Sequence, residues 1–324
     1  MAKKINSPSL LVDLGKLPKG FHHRRVARDG VGFEAFIWRG APGPVLLVNG
    51  ATHGDEYEGP TLLQQWVQRW KPRGLRGTVV FVPVLNEVAF FAGARCRPDD
   101  GANLARSFPG KRRGNPTQRL ACLFDEQLLA QCTHYVDFHS GGGANALKPW
   151  VGYVTGQPKP VDRTQRKMAA CFDQFWCWSG PFLPGRTLSA AAIRKIPAIY
   201  TECRGAGDVT DADLAALDLG LRRMLIVLGL LKGRVPRLRP QVTRITRSVS
   251  ETHLQVHHQA PHDGLFMLRV KLDERLRRGA VLGEVVSLTG KSSEIRAEHA
   301  GRVVVVRLQR SVRQGDALAV LAPI

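Results

Sequence analysis

Four short apolar runs, at residues 45–48, 79–84, 135–138 and 196–201, constrain this chain more than any other feature. Each is continuous rather than alternating, and each breaks at turn or polar residues, the texture of strands buried on both faces of a sheet. Segments of helical spacing lie between them. Residues 58–70 carry Leu62, Leu63, Trp66 and Val67, and residues 117–131 carry Leu120, Leu123, Phe124 and Leu128. Further helices are expected over 162–175 and 211–231, the latter opening on Thr210 with Asp213 three residues on, a start like a capping box. Repeated strand–loop–helix units specify an α/β fold with a parallel or mixed central sheet flanked by helices. Residues 23–40 alternate loosely around Phe33, Phe36 and Trp38, which predicts an early antiparallel or edge strand. Residues 41–44 read as a turn, 151–155 as a strand, and 86–115 as a long loop of the kind that tends to carry function.

The texture changes after residue 231. Residues 232–241 hold Pro236, Pro240 and several basic side chains, and are read as a boundary between residues 1–235 and 241–324. Beyond it, short strands alternate with glycine turns, and two stretches resemble one another: DGLFMLRVKLDERLRRGAVLGEV and AGRVVVVRLQRSVRQGDALAVL. That repetition predicts a small, pseudo-symmetric all-β domain.

Composition narrows the function classes. An apolar content of 44% excludes wholesale disorder. The longest central apolar stretch, residues 225–231, is far short of the roughly 20 residues a bilayer span needs. No membrane association is expected. The first twenty residues lack an apolar core of the signal-peptide kind, so a cytoplasmic location is expected. The six cysteines form no CxxC pair and read as small buried apolar residues in a reducing compartment. The net charge of +20 favours an anionic partner: nucleic acid, acidic lipid or a small anionic substrate. Its basic clusters (Arg73 and Arg76, 111–113, 234–247, 275–278) are not interleaved with stacking aromatics, so nucleic acid is not the expected partner. A homo-oligomer is compatible with the sequence.

Ligand sites of open α/β sheets gather beyond the carboxyl ends of the strands. Three strands here end on chemistry: the first on His53 with Glu56, the third on His139, and a later one on Glu202. Two imidazoles and a carboxylate suit a catalytic zinc, which keeps one position open for water. His53 and Glu56, three apart, can reach one ion, and the neighbouring glycines 54 and 141–143 allow close backbone approach. Taken alone, HxxE is a short motif that structural histidines also satisfy. His22, His23, His134, His253, His257, His258, His262 and His299 lack comparable settings and read as structural or solvent-facing.

NGATHGDEYEG, then Asn86 with FFAGARCRPDDGANLARSFPG, then DFHSG and YTECRG, in this order and spacing, resemble the succinylglutamate desuccinylase/aspartoacylase family of zinc carboxypeptidase-like folds. The tail also resembles that family's small C-terminal β domain, in part like a lipoyl-type half-barrel. The resemblance implies one zinc per chain, held by His53, Glu56 and His139. It further implies Glu202 as general base, Arg95 polarising the scissile carbonyl, and Arg106 pairing with a substrate carboxylate. The implied activity is removal of an acyl group from a small, anionic N-acylated amino acid or related amine. One departure stands out. The family's NLNR is Asn103-Leu104-Ala105-Arg106 here, and alanine has no side-chain hydrogen bond to offer. Asn103 is counted with Arg106 at the substrate end, with a part expected to be largely structural. Two alternatives remain: a carboxypeptidase-like hydrolase of peptides or cell-wall fragments, and a non-catalytic binder of nucleic acid or acidic surfaces resting on the +20 charge.

Overall fold

The alternating residues of the expected early strand form a hairpin. β1 (Gly20–Arg28) and β2 (Val31–Arg39) pair antiparallel, with Arg28 opposite Val31. Asp29 (φ 51°) and Gly30 (φ 78°) make the two-residue turn, both in the left-handed region that such a turn requires. The computed structural model describes residues 11–239, 241–245 and 257–323. The expectations for residues 1–10, Pro240, Arg247, His253 and the rest of 246–256 lie outside the described residues.

β3 (Ala41–Asn49) follows directly. Its first four residues, expected as a turn, belong to the strand, and the register slips between Ala41 and Val45. Gly43 lies so near the neighbouring strand that a Cβ there would meet Gly77 N at 2.6 Å, so the irregular stretch packs tightly against its partner instead of turning away. Next come α1 (Glu58–Arg69), β4 (Arg76–Val82) and the 86–115 segment. The expected loop contains a short helix, α2 (Glu87–Phe91), and a 3-10 turn at Leu104–Arg106. α3 (Pro116–Gln127) is capped reciprocally: Asn115 Oδ1 accepts the Gln118 N–H at 2.8 Å while Gln118 Oε1 accepts the Asn115 N–H at 3.3 Å.

β5 (His134–Ser140), β6 (Asn145–Leu147), β7 (Trp150–Gly152), α4 (Lys159–Ala170) and β8 (Trp176–Ser179) come next. α5 (Thr187–Ile193), β9 (Ala198–Cys203) and α6 (Asp211–Val227) complete the α/β part. Thr210 caps α6 as expected, accepting the Asp213 N–H at 3.1 Å. The central sheet runs β1-β2-β4-β3-β5-β9-β7-β8-β10, where β10 is Thr243–Ile245. Its middle strands β4, β3, β5 and β9 are parallel, and β2 and β7 flank them antiparallel. One face is covered by α3 and α5 through Leu120, Phe124 and Leu188. The other is covered by α1, α4 and α6 through Leu62, Trp66, Met168, Leu221 and Met224. Five cysteines are buried thiols and Cys96 is half-buried.

The tail folds as β11 (Gly264–Leu268), β12 (Arg275–Leu276), β13 (Val281–Val286), β14 (Ser292–Arg296), β15 (Gly301–Arg307), β16 (Ser311–Val312) and β17 (Ala319–Pro323). The two similar stretches exchange strands. β11 pairs with β13 of its own stretch and with β16 of the other, while β15 pairs with β17 of its own and with β12 of the other. This reciprocity is the pseudo-symmetry that the repeated sequence predicts. The exchange extends to the α/β part. β6 adds to the tail's sheet against β15, and β10 adds to the central sheet against β8. Among the described residues no helix is long and apolar enough to cross a membrane.

Candidate metal and active site

Three parallel neighbours deliver the chemistry to one end of the sheet. β3 ends at Asn49, and the chain turns through Ala51 (φ 48°) into the His53-to-Glu56 segment. His139 and Glu202 face one another in register on adjacent strands β5 and β9. Glycines make this convergence physically attainable. A Cβ on Gly205 (φ 72°) would fall 2.5 Å from Gly141 Cα, so the two strand ends can approach only because both residues are glycine. A Cβ on Gly54 would fall 2.1 Å from the Ala89 carbonyl carbon, which seats the His53 loop on α2.

His53, Glu56 and His139 offer one donor atom each, all within 4.8 Å of one another, close to the span that one ion with bonds of about 2.0–2.2 Å bridges. His53 Nδ1 and His139 Nδ1 lie 2.7 Å and 2.8 Å from the two oxygens of Glu56. The outer nitrogens are held by the protein. His53 Nε2 lies 3.1 Å from Asn103 Oδ1, and His139 Nε2 lies 2.9 Å from Asp137 Oδ2. A ligating imidazole normally gives its second N–H to such an acceptor, so the donor set fits a metal with N/O ligands. Burial, then the Arg95 charge, lowers His53 to about 4, which keeps it neutral as a ligand must be. Burial opposes charge on His139 and Glu56 too, but it is outweighed on His139 by the carboxylates of Asp137 and Glu56, and on Glu56 by the imidazoles of His53 and His139. His139 is raised well above, and Glu56 held well below, the ordinary value.

Asp137 is fully buried and satisfied from four sides. Besides His139 it accepts from Asn49 Nδ2 (2.9 Å), Thr52 Oγ1 (2.9 Å) and Thr187 Oγ1 (2.6 Å). Sequence reasoning missed it, although the signal was present: residues two apart on a strand point to the same face. Glu58, buried at the start of α1, accepts the Gly205 N–H at 2.8 Å and so ties the chain just after the His53-to-Glu56 segment to the turn that follows β9.

His53, Glu56 and His139 open onto one cavity of about 1020 Å³, at the large end for small-molecule sites. Arg95, Arg106, Ala105 and Glu202 all line it. Asn103 is not among the lining residues; its amide faces His53. Arg95 donates to Glu56 Oε1 at 3.1 Å. Removal from water pushes Glu202 up to about 8, in spite of the attraction of His139. Arg186, a second residue missed from sequence, joins Arg95 and Arg106. Gly185 (φ 84°) lets its loop run against the Arg106 backbone, where a Cβ would lie 2.4 Å from the Arg106 carbonyl oxygen. Burial and the neighbouring Arg186 and Arg95 lower Arg106 to about 10. Trp150, Trp178 and Tyr200 form an aromatic wall, and Val305, Arg307 and Asp316 of the tail close the far side.

Known proteins share this fold. Residues 42–228 match the model for the succinylglutamate desuccinylase/aspartoacylase catalytic domain. The chain is 32% identical over 287 residues to N-alpha-acetyl-L-2,4-diaminobutyric acid deacetylase of Halomonas elongata, spanning 87% of this chain and 83% of that one. A succinylglutamate desuccinylase structure from Silicibacter sp. superposes with a TM-score of 0.86 at 29% identity over 99% of both chains. The product-bound ectoine utilization protein EutE (DoeB) of Ruegeria pomeroyi superposes with a TM-score of 0.85 at 29% identity, over 99% of this chain and 100% of that one. The mixed sheet with its flanking helices and added antiparallel sheets is the fold of those structures. With the catalytic-domain match spanning more than half its residues, the chain belongs to the succinylglutamate desuccinylase/aspartoacylase family.

Proposed function

We propose that the protein is a zinc-dependent hydrolase that removes the acyl group from a small N-acylated amino acid. The observation that carries this reading is the convergence of His53, Glu56 and His139 beside Glu202 in one arginine-lined cavity. His53, Glu56 and His139 would hold the ion. Zinc there supplies Lewis acidity, drawing the pKa of water toward neutrality and polarising an amide carbonyl. The chain's own groups do the rest. Glu202, with its basicity raised by burial, takes a proton from the attacking water and passes it to the departing nitrogen as the C–N bond breaks. Arg95, half-exposed above Glu56, balances charge that grows on the carbonyl oxygen. Arg106 and Arg186 are cations lowered chiefly by burial, with Arg186 and Arg95 also bearing on Arg106, and a substrate carboxylate offsets that cost. Arg186 supplies the second anchoring group that Ala105 cannot. The cavity is walled by the tail strands as well as by the α/β part, which favours small substrates over peptides.

The test couples metal analysis to hydrolysis of a panel containing Nα-acetyl-2,4-diaminobutyrate, N-acetylaspartate and N-succinylglutamate. One zinc per chain and turnover of at least one panel member are expected. Glu202→Gln is expected to retain zinc and lose at least about a hundredfold in kcat, since it removes the proton carrier and no ligand. A zinc-loaded wild type that cleaves no acylated amine overturns the reading.

A further inference from the structure

The sheet register puts an apolar wall directly beside Glu202. β9 lies between β5 and β7. His139 stands opposite Glu202 on β5, and Trp150 stands opposite it on β7. The three form one row across the sheet, each a strand spacing of about 4.7–4.9 Å from the next. On the side of Glu202 away from His139 the row runs into aromatic surface. The Trp150 and Trp178 rings lie 5.5 Å apart. Tyr200, two residues before Glu202 and on the same face, is seated on Gly152, where a Cβ would fall 2.5 Å from its ring. The polar groups of this wall are turned on one another. Trp150 Nε1–H donates to the Tyr200 hydroxyl at 3.2 Å, and that hydroxyl faces the Trp178 carbonyl at 3.5 Å. The tail continues the wall through Val305, which pairs with Leu147 across β15 and β6. Arg307, also on the tail side, is neutralised by Asp316 at 3.0 Å. Half-buried Tyr200 and Val305 present surface to the cavity, and buried Trp150, Trp178 and Leu147 back them.

The polar demands of the proposed reaction fall elsewhere. Arg95 answers to the carbonyl oxygen, Arg106 and Arg186 to the carboxylate of the amine, and Glu202 to the departing nitrogen. The acyl chain is the remaining substituent of the carbonyl carbon, and the wall beside Glu202 is the surface with no polar task. The cavity, at about 1020 Å³, has the size of sites that enclose drug-sized ligands, more than an N-acetylated amino acid fills. An apolar chain laid on this wall leaves water without breaking a hydrogen bond of the protein, and each buried methylene gains roughly threefold to fourfold in affinity. The geometry points to an acyl-chain subsite built from Trp150, Trp178, Tyr200, Leu147 and Val305, which selects N-acyl substrates whose acyl chain is apolar and longer than acetyl. The inference rests on the deacylase reading and adds the acyl class to it.

The experiment compares N-acetyl, N-butanoyl and N-hexanoyl derivatives of aspartate, glutamate and 2,4-diaminobutyrate as substrates of the zinc-loaded protein. On every amine that is cleaved, kcat/KM is expected to rise about tenfold or more from acetyl to hexanoyl. Val305→Trp fills the tail side of the wall. It is expected to lower kcat/KM for hexanoyl about tenfold and to leave acetyl within about threefold of wild type. Calorimetric binding of acetate, butanoate and hexanoate to wild type gives a readout without turnover, with affinity expected to grow about threefold per methylene. Cleavage of acetyl derivatives with no rise along the acyl series overturns the inference and leaves the deacylase reading standing. Equal losses for acetyl and hexanoyl in a folded Val305→Trp also overturn it. So does a preference for N-acetylphenylalanine over N-acetylalanine without any effect of acyl length, which gives the wall to the amine. Acid affinity that does not grow with chain length overturns it even where Val305→Trp fails to fold. Growing acid affinity in a protein that cleaves no acylated amine upholds the apolar subsite and overturns the deacylase reading instead.

Discussion

Asp137 shows how much a single buried side chain can do away from the reacting atoms. It never reaches the cavity, yet four donors converge on it, and His139 is one of them. By holding the His139 Nε2–H it leaves Nδ1 free to face Glu56 and a metal. Asp137→Asn keeps the shape but must turn an NH2 group toward at least one of those donors. Zinc affinity is expected to fall about 10- to 100-fold, read by competition with a chelator of known affinity. A stability loss of about 1–3 kcal/mol should accompany it, because a buried donor is left unsatisfied. Unchanged zinc affinity would mean that His139 is oriented by packing alone. The same logic applies to Asn103, which faces His53 from the 86–115 segment and couples that segment to the candidate metal-binding residues.

At the level of elements, the site exists because parallel strands β5 and β9 end side by side with glycines where they meet. Gly205→Ala places a methyl 2.5 Å from Gly141 Cα and forces a left-handed φ of 72° on an alanine. The two penalties together are expected to cost about 2–4 kcal/mol, read as a shift in the denaturant midpoint. The same change should weaken zinc binding, because it moves His139 relative to Glu56. A variant with native stability and native zinc affinity would show that the strand ends separate without consequence. α3 and α6 are local by contrast. Their caps, Asn115 with Gln118 and Thr210 with Asp213, hold whatever the site does.

At the scale of the molecule, the two parts are interleaved. β6, from the α/β part, completes the tail's sheet, and β10, beyond the proline-rich boundary, completes the central one. Trp150 and Trp178 pack with Val304 and Val320 in a core that neither part owns. Two units joined in this way lose each other's edge strands on separation, so they are expected to unfold together. Differential scanning calorimetry of the whole chain should give one transition. Two resolved transitions, with the cavity lost in the first, would show that the exchanged strands contribute little.

Local pattern was enough for the buried strands, the main helices and the repeated tail, and it pointed to the three strand-end residues that lie close enough together to hold a metal. These features depend on periodicity and on side chains placed close to strand termini. Pattern erred at residues 41–44, where the bulge is held by contact with Gly77, and it was silent on α5, β8 and β10, which are short and take their place from neighbours. Arg186 and Asp55 were also invisible as cavity residues. Nothing near Arg186 in sequence points at Arg106, and only the close passage of Gly185 over that backbone brings the two cations together. Asp55 has no sequence signal of its own; the Gly142 and Gly143 backbone packs against its carboxylate across 88 residues of chain. The α/β class is legible in the sequence because strand and helix periodicities are short-range, and the His53, Glu56 and His139 set is legible there through the order of motifs that carries the family resemblance. Only the tertiary structure decided which charges share the cavity, because that depends on contacts between segments far apart in the chain.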